Sequence, residues 1–335
     1  MDNLDRRSFL KIAGAACGAM ILPGVAFPQK KPLTELKAAL SGSSSNMGYC
    51  QFYIPDKLGF YADEGITIQR VDFAGGGETV RGLVDGRMGI GGTSFTAVVQ
   101  AFNQGVKVKI LGCGFASGVI DWLARADSPV QSLKDIKGRK IGYTRPGSNT
   151  HYQAMVALSV AGYSTEDVQL ISVGDLAAAW TAVKTGVVDV APSGEPIATL
   201  RTESKEGKVV WRSPDLIPHW MEQALVTTES FLSENPDTVR GFMKAHLKGL
   251  DYIRDNTAEA GRIWARMVGF KDVELAARAI TNWPKGAWSA KLNSEALAEI
   301  EKSMKVLKQA DKPIDWKRLI DQSFLPPNLQ INLPA

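Results

Sequence analysis

The sequence of 335 residues has little of what most metal and catalytic sites require. Its three cysteines form no CxxC pair, and it has only three histidines, so neither a zinc site nor another metal is expected. A P-loop and a GxSxG nucleophile motif are absent. The partial GxGxxG pattern fails, because Ser117 stands where a third glycine would follow Gly112 and Gly114. These absences favour a binding protein that needs no cofactor over an enzyme.

Positive charge is not concentrated anywhere beyond the N-terminus. The chain has 39 lysines and arginines against 35 acidic residues, which gives a net charge of +4. Because nucleic-acid-binding proteins place their basic residues on one face or arm, no nucleic-acid partner is expected. With 44% hydrophobic and 22% charged residues, the composition excludes disordered and low-complexity classes. The length suggests two domains of ordinary size.

The N-terminus has the layout of an export signal. The basic run DRRSFLK at 5–11 precedes an apolar stretch at 12–27 that is too short to span a bilayer comfortably. The adjacent arginines resemble the twin-arginine signal, so we predict that residues 1–26 are a signal peptide and that the mature chain is periplasmic. A mildly amphipathic helix is the alternative. A lipid anchor at Cys17 is disfavoured, because Gly14 stands where such signals prefer leucine.

Cys50 and Cys113 remain after removal of such a signal. An oxidising compartment permits a disulfide between them, and two buried free thiols are equally compatible with the sequence. Both possibilities stay open. No later segment is long and apolar enough to cross a membrane, so the mature chain is expected to be soluble.

Short β-type runs alternate with helical runs from residue 36 onward. This alternation predicts βαβ units and open, mainly parallel sheets, that is, an α/β fold. Strands are predicted at 36–40, 67–71, 88–91, 108–113, 139–143, 168–172, 187–191 and 208–212. Helices are predicted between them at 51–60, 78–85, 94–103, 150–161 and 176–185.

The strand–helix arrangement occurs twice, at 36–113 and 139–212. Two extended runs without turn residues, 120–125 and 223–228, are predicted to cross between these units. Two lobes joined by two crossovers form a hinge architecture, so a ligand is expected in the cleft between the lobes. After residue 230 helices dominate. His246 lies there on an apolar helical face, where we interpret it as a structural residue.

Several motifs resemble ABC-transporter solute-binding proteins of the sulfonate/nitrate/taurine branch. They are LGFYADEGI at 58–66, FAGGGE at 73–78, GRMGIGGTS at 86–94, LKDIKGRKIG at 133–142, PGSNT at 146–150, GVVDV at 186–190 and GEP at 194–196. The similarity runs in order over residues 36–255, which makes it more specific than any one motif.

The resemblance implies a two-lobed periplasmic-binding-protein fold of type II with a helical C-terminal part. One lobe would comprise residues 27–121 and 226–335, and the other residues 122–225. The implied role is to capture a small organic anion, a sulfonate or carboxylate with or without an aromatic body. The protein would act as a monomer and deliver this ligand to an ABC permease in the inner membrane.

Relatives with other activities supply the alternatives. Some make or bind the pyrimidine precursor of thiamine and carry a cysteine-rich cluster that this chain lacks. Others are cytoplasmic enzymes of menaquinone synthesis, which the export signal disfavours. An enzyme acting on a pyrimidine or a cyclic carboxylate, and a ligand-sensing subunit of a membrane receptor, remain as alternative functions.

The run RPGSNTH at 145–151 carries the sharpest local chemistry. Polar side chains stand at a helix start, where free amides and the helix dipole favour an anion. Arg145 adds a planar bidentate partner for a carboxylate or sulfonate. The alternative is that Ser148 or Asn149 caps its own helix while Arg145 points to solvent.

Small polar residues also follow the first three strands, and their shared position predicts one wall of the cleft. Glu78 is either a carboxylate in the cleft or a first-turn helix charge. Trp122 and Trp180 are further aromatic candidates near strand ends and crossovers. The predicted ligand-binding residues are Ser44, Asn46, Met47, Gly76, Glu78, Thr93, Ser94, Phe95, Phe115, Arg145, Ser148, Asn149, Thr150, Asp175, Glu195 and Trp220.

Overall fold

Two five-stranded sheets organise the part of the chain that the computed structural model describes, residues 33–42, 46–117, 119–310 and 312–334. The first contains β1 (Thr34–Ser41), β2 (Ile66–Phe73), β3 (Ile90–Thr93), β4 (Val108–Phe115) and β10 (Gln223–Thr228). The second contains β5 (Asp121–Arg125), β6 (Lys140–Tyr143), β7 (Gln169–Ser172), β8 (Val190–Ser193) and β9 (Gly207–Arg212). The predicted signal peptide and Ser44 lie outside the described residues.

The two sheets share one topology. Their strand orders are β2-β1-β3-β10-β4 and β7-β6-β8-β5-β9. β1 pairs in parallel with β2 and β3, and β6 pairs in parallel with β7 and β8. β10 and β5 run antiparallel to both of their neighbours. The expected mainly parallel sheets are therefore present, with one antiparallel strand inserted in each.

The two extended runs predicted as crossovers are these antiparallel strands. The chain instead crosses between the sheets at 116–120 and again at 217–222. The reason is burial: Trp122, Leu123 and Ala124 are fully enclosed, and buried backbone groups need hydrogen-bond partners that neighbouring strands supply. The predicted lobe boundaries, 121–122 and 225–226, stay a prediction.

Helices connect the strands and fill the C-terminal part. They are α1 (Cys50–Lys57), α2 (Phe60–Asp63), α3 (Gly76–Val84), α4 (Phe95–Asn103), α5 (Asn149–Ala161), α6 (Leu176–Lys184), α7 (Ile197–Glu203), α8 (Ser213–Leu216), α9 (Glu229–Glu234), α10 (Pro236–Asp255), α11 (Thr257–Val268), α12 (Val273–Ala279), α13 (Ser294–Val306) and α14 (Trp316–Leu319). Short 3-10 helices lie at Met47–Tyr49, Leu133–Asp135, Ile280–Asn282, Lys285–Ala287, Gln322–Phe324 and Pro327–Leu329. None of the described helices is both long and apolar enough to span a membrane.

Separate apolar cores support the two sheets. In the first, Phe52 of α1 and Phe242 of α10 lie beside His246, which is fully buried on the predicted apolar face. In the second, Trp122 stacks on Trp211 with ring centroids 4.8 Å apart, so Trp122 belongs to the core. Cys50 and Cys113 are both buried as free thiols.

Asp121 starts β5, and burial raises its pKa to about 6 even though Arg212 Nε lies 3.8 Å from its Oδ1. Between its usual pKa of about 4 and 6, the folded chain binds this proton more tightly than the unfolded chain does. The stability that this proton contributes is therefore lost as the pH rises through that window. We expect the melting temperature of Asp121→Asn, relative to wild type, to rise by a few degrees between pH 4 and 7.

Asp127→Asn is the control, because Asp127 is exposed and its hydrogen bond to Arg125 lowers its pKa. The melting temperature of Asp127→Asn relative to wild type should change only slightly with pH, and in the opposite direction to that of Asp121→Asn. Calorimetry at several pH values measures both variants. If the difference in melting temperature between Asp121→Asn and wild type does not change with pH, the raised pKa of Asp121 is contradicted.

Candidate functional site

A cavity of about 470 Å³ lies where loops from the two sheets meet. The loops that follow β1, β2 and β3 contribute from the first sheet, and those that follow β6, β7 and β8 contribute from the second. Ligands of open α/β sheets bind beyond the carboxyl ends of the strands in this way. The predicted residues in the cavity wall are Asn46, Gly76, Glu78, Ser94, Phe115, Arg145, Ser148, Asn149, Thr150, Asp175 and Glu195.

Four of the predicted residues lie elsewhere. Met47 and Phe95 are fully buried in the core. Each directly follows a helix-capping residue, Asn46 or Ser94, whose own side chain remains at the cavity. Thr93 is buried in β3.

Trp220 is the fourth predicted residue outside the wall. It is buried and stacks on Tyr152 with ring centroids 5.5 Å apart. Its Nε1 donates to Glu222 Oε2 at 3.1 Å. Trp220 therefore holds a residue of the cavity wall without being part of that wall.

The start of α5 is closed by its own side chains, as the capping alternative anticipated. Ser148 Oγ accepts the backbone N–H of His151 at 3.2 Å and a hydrogen bond from Thr144 Oγ1 at 2.9 Å. Thr150 Oγ1 accepts the backbone N–H of Thr144 at 2.9 Å. Asp175 caps α6 in the same manner by accepting from Ala178. These hydroxyl and carboxylate groups line the cavity but already have partners.

Arg145 reaches across the cleft and does not point into solvent. Its Nε donates to the carbonyl of Gly174 at 3.1 Å, and its Nη1 lies 3.7 Å from Glu78 Oε1. A Cβ at Gly75 would come within 3.4 Å of Arg145 Cδ. The side chain is 43% exposed, so this ion pair contributes little to stability and leaves the guanidinium available to a ligand.

The start of α3 faces Arg145 without a side-chain cap. Gly75 occupies the N-cap position and has no side chain to offer. Among the described residues, none accepts from the backbone N–H groups of Gly76 or Gly77. Free amides at a helix start favour a negative group, so this wall and Arg145 together form the anion-favouring end of the cavity. A ligand anion there competes with the Glu78 carboxylate in the first turn of α3.

Two carboxylates give another part of the cavity the opposite character. Glu195 accepts from Thr199 Oγ1 at 2.9 Å and from Asn282 Nδ2 at 2.8 Å, and Glu222 accepts from Asn149 Nδ2 at 2.9 Å. Burial raises the pKa of both groups, and these hydrogen bonds oppose the rise. No described lysine or arginine forms an ion pair with either carboxylate. This region therefore favours hydrogen-bond donors.

Aromatic rings supply the apolar part of the wall. Phe115 lies edge-on to Trp283 with ring centroids 5.0 Å apart, and Tyr49 and Trp180 also line the cavity. The described residues contain no cluster of histidine, cysteine, aspartate and glutamate suited to a metal ion.

Contacts from one wall to the other close the cleft in this structure. The backbone N–H of Met47 donates to the carbonyl of Glu195 at 3.1 Å. Thr96 Oγ1 donates to Asn149 Oδ1 at 3.0 Å. Both contacts join the loop or helix after a first-sheet strand to one after a second-sheet strand, so the two walls meet directly around the cavity.

Sequence reasoning missed several residues of the wall, among them Tyr49, Glu222 and Gln223. The signal that could have found the last two is their position at the start of the extended run at 223–228, which Glu222 directly precedes and Gln223 begins. The chain reaches β10 from the second sheet through the connection at 217–222, so the beginning of β10 lies where the chain enters the first sheet.

Comparison with known proteins places the chain in a family. The sequence profile described as NMT1/THI5-like matches residues 46–260, well over half of the chain. The chain belongs to this family. This confirms the resemblance on which the fold expectation rested. Riboflavin-binding protein RibY of Chloroflexus aurantiacus is 26% identical over 239 residues, which cover 70% of this chain and 66% of RibY, just under two thirds of that protein's length.

Solved structures agree on the fold of this NMT1/THI5-like chain. The alkanesulfonate-binding protein SsuA from Xanthomonas axonopodis pv. citri superimposes with a TM-score of 0.72 at 15% identity, covering 87% of this chain and 99% of SsuA. The periplasmic nitrate-binding protein NrtA from Synechocystis PCC 6803 gives 0.70 at 15% identity, covering 87% of each chain. The predicted periplasmic-binding-protein fold is thus confirmed.

Gly76 fixes how closely α3 and α4 pack beside the cavity. A Cβ at Gly76 would lie 2.5 Å from Ala97 Cβ, whereas a Cβ at Gly77 would meet nothing nearer than Arg81 Nη1 at 4.0 Å. We expect Gly76→Ala to destabilise the chain by about 1–3 kcal/mol and Gly77→Ala to be neutral or slightly stabilising. Urea unfolding of both variants measures the difference, and equal effects would contradict the packing argument.

Proposed function

We propose that the chain is an exported solute-binding protein that captures an organic solute in the cavity between its two sheets and delivers it to an ABC permease. The cavity carries the proposal: it measures about 470 Å³ and draws its wall from both sheets. Sites for organic ligands occupy roughly 300–1,000 Å³, which is far more than nitrate needs. Membership of the NMT1/THI5-like family and the periplasmic-binding-protein fold support the same role.

Binding is coupled to closure of the cleft. The walls meet through Met47–Glu195 and Thr96–Asn149, and a ligand that touches both walls adds contacts that exist only when the cleft is closed. Such a ligand shifts the open–closed equilibrium by its differential affinity for the closed form. The permease then contacts the closed, liganded form of the chain, whose shape differs from that of the unliganded form.

The ligand is an aromatic solute with oxygen-rich polar groups. Phe115 and Trp283 accommodate its rings, Arg145 and the start of α3 take its carboxylate, sulfonate or carbonyl oxygens, and Glu222 takes its hydrogen-bond donors. An anionic group next to Glu195 or Glu222 would face a buried carboxylate that has no cationic partner, so it belongs at the Arg145 end. Riboflavin, the ligand named for RibY, has this combination of a flat aromatic body and polar groups.

A thermal-shift screen of the purified chain tests the solute class. We expect riboflavin or an aromatic carboxylate or sulfonate to raise the melting temperature, because a ligand at one hundred times its Kd adds about 2.7 kcal/mol of stability. Nitrate should give no shift, since it cannot contact both walls of the cavity at once. The proposal would be overturned if only nitrate raised the melting temperature, or if no organic compound raised it.

Arg145→Ala tests the anion-favouring end. We expect the variant to bind an anionic aromatic ligand at least about tenfold more weakly, because it loses a charge-assisted hydrogen bond, and to bind neutral ligands with little change. Arg87→Ala is the control, since Arg87 is exposed, pairs with Asp85 and lies outside the cavity wall. Isothermal titration measures both variants, and an unchanged affinity in Arg145→Ala would remove Arg145 from the site.

A further inference from the structure

A chain of four buried polar side chains runs from the cavity into the core behind it. It consists of Gln223 at the start of β10, Gln51 in α1, His246 in α10 and Tyr61 in α2. All four are at least nine-tenths buried, and we call them the amide relay. The proposed function uses Gln223 only as part of the wall and gives the other three no role.

One backbone carbonyl fixes the orientation of the whole relay. The carbonyl of Gly48 can only accept, and the atom of Gln51 that faces it at 3.0 Å is therefore Nε2. The second hydrogen of the same Nε2 points to Gln223, 2.9 Å away, so the facing atom of Gln223 is Oε1. Gln51 Oε1 is left as an acceptor for the ring of His246.

The histidine tautomer follows from the same argument. His246 Nε2 lies 3.0 Å from Gln51 Oε1 and must carry the proton, which leaves Nδ1 to accept from the Tyr61 hydroxyl at 3.1 Å. Burial lowers the pKa of His246 to about 3, so the ring is neutral at ordinary pH. Every polar atom of Gln51 and His246 is then satisfied in one arrangement, which is what a buried network needs in order to be rigid.

The far end of the relay is a hydrogen-bond donor directed at the cavity. Because Gln223 Oε1 is held by Gln51, its Nε2 points away from Gln51, and no described residue accepts a hydrogen bond from it. The residue is only 5% exposed, and its Nε2 is not sealed within the protein. An amide that could turn over would offer oxygen or nitrogen to a ligand; here a turn would set two donors, Gln51 Nε2 and Gln223 Nε2, against each other.

We propose that Gln223 is a specificity-determining residue whose amide N–H is a fixed donor to the solute, and that Gln51 and His246 are the positioning residues that prevent the amide from turning over. The solute therefore places a neutral acceptor, such as a carbonyl oxygen, at this point of the cavity, because Gln223 directly follows the buried carboxylate of Glu222. This inference rests on the proposed solute-binding function and specifies one contact that the solute has to make.

A double-mutant cycle with riboflavin as the probe tests the contact. Gln223→Met removes the donor, and His246→Phe removes the proton that holds Gln51 while it keeps a ring between Phe52 and Phe242. We expect each single variant to bind riboflavin about fivefold to tenfold more weakly. The double variant should bind no more weakly than Gln223→Met alone, because His246 acts only through Gln223. Full affinity in Gln223→Met, or multiplication of the two effects, would overturn the proposal.

Nitrogen-15 NMR of the histidine-labelled wild-type chain tests the relay directly. This measurement needs neither a ligand nor a variant that still binds one. The sequence has only three histidines, and the His246→Phe spectrum identifies the signal that disappears. We expect the His246 ring to be the neutral Nε2–H tautomer at pH 6. An Nδ1–H tautomer or an imidazolium would overturn the relay.

The two arms separate the proposals. If wild-type chain does not bind riboflavin while the NMR shows the expected tautomer, the riboflavin form of the proposed function fails and the relay stands. If riboflavin binds and the tautomer is the other one, the solute proposal stands and the relay fails.

Discussion

The returning strands are the constraint on which the rest of the structure depends. β10 enters the first sheet only after the chain has built the whole second sheet, and it lies between β3 and β4 with ladders on both sides. β5 holds the same interior place in the second sheet. A strand bonded on both sides cannot shift without breaking two ladders, so each returning strand is fixed within its sheet, and the chain passes between the sheets in the short connections that precede β5 and β10. Glu222 and Gln223 stand where the second of these connections becomes β10. The polar floor of the cavity is thus tied to the connection between the lobes, whereas Arg145 and the start of α3 belong to the walls.

This arrangement explains why the cavity combines groups of opposite character. Among the helix starts in the walls, that of α3 has no side-chain cap, and its free backbone amides favour a negative group. The floor is built where the chain passes between the sheets, and its carboxylate, Glu222, is held by Asn149. On the second-sheet wall Glu195 is held in the same way by Asn282. No described lysine or arginine pairs with either group. A solute with an electron-rich end and a donor-bearing body meets complementary groups at both places, whereas a small inorganic anion meets them at only one.

The α/β class and the repeated strand–helix units were predictable from local pattern, because alternating β-type and helical runs follow the burial of each element. The periplasmic-binding-protein fold was predictable from the family resemblance. The same pattern located the loops at the strand ends, and with them Arg145 and Glu195. What it could not give is the direction of neighbouring side chains. Ser94 and Phe95 are adjacent, yet one caps α4 at the cavity and the other fills the core, and only the packed helix decides which is which. Glu222 is not predicted for a related reason: its role depends on Asn149, which is distant in the sequence and approaches Glu222 only in the folded chain. The prediction that the runs at 120–125 and 223–228 are crossovers is wrong, because the pattern along one run does not show which strands pair with it.

Gly75 has a consequence for how tightly the cleft can close. Its backbone is extended, with φ at −178°, so any residue could adopt its conformation without strain. Yet the space where a Cβ would stand lies in van der Waals contact with the aliphatic stem of Arg145 on the opposite wall. A Cβ therefore fits against Arg145 with the cleft closed as it is. Each further atom added at this position would have to displace the Arg145 stem or widen the cleft. Such additions would change the population of the closed form, and with it the apparent affinity. The size of the side chain at position 75 could therefore adjust how far the cleft closes and which size of solute it binds.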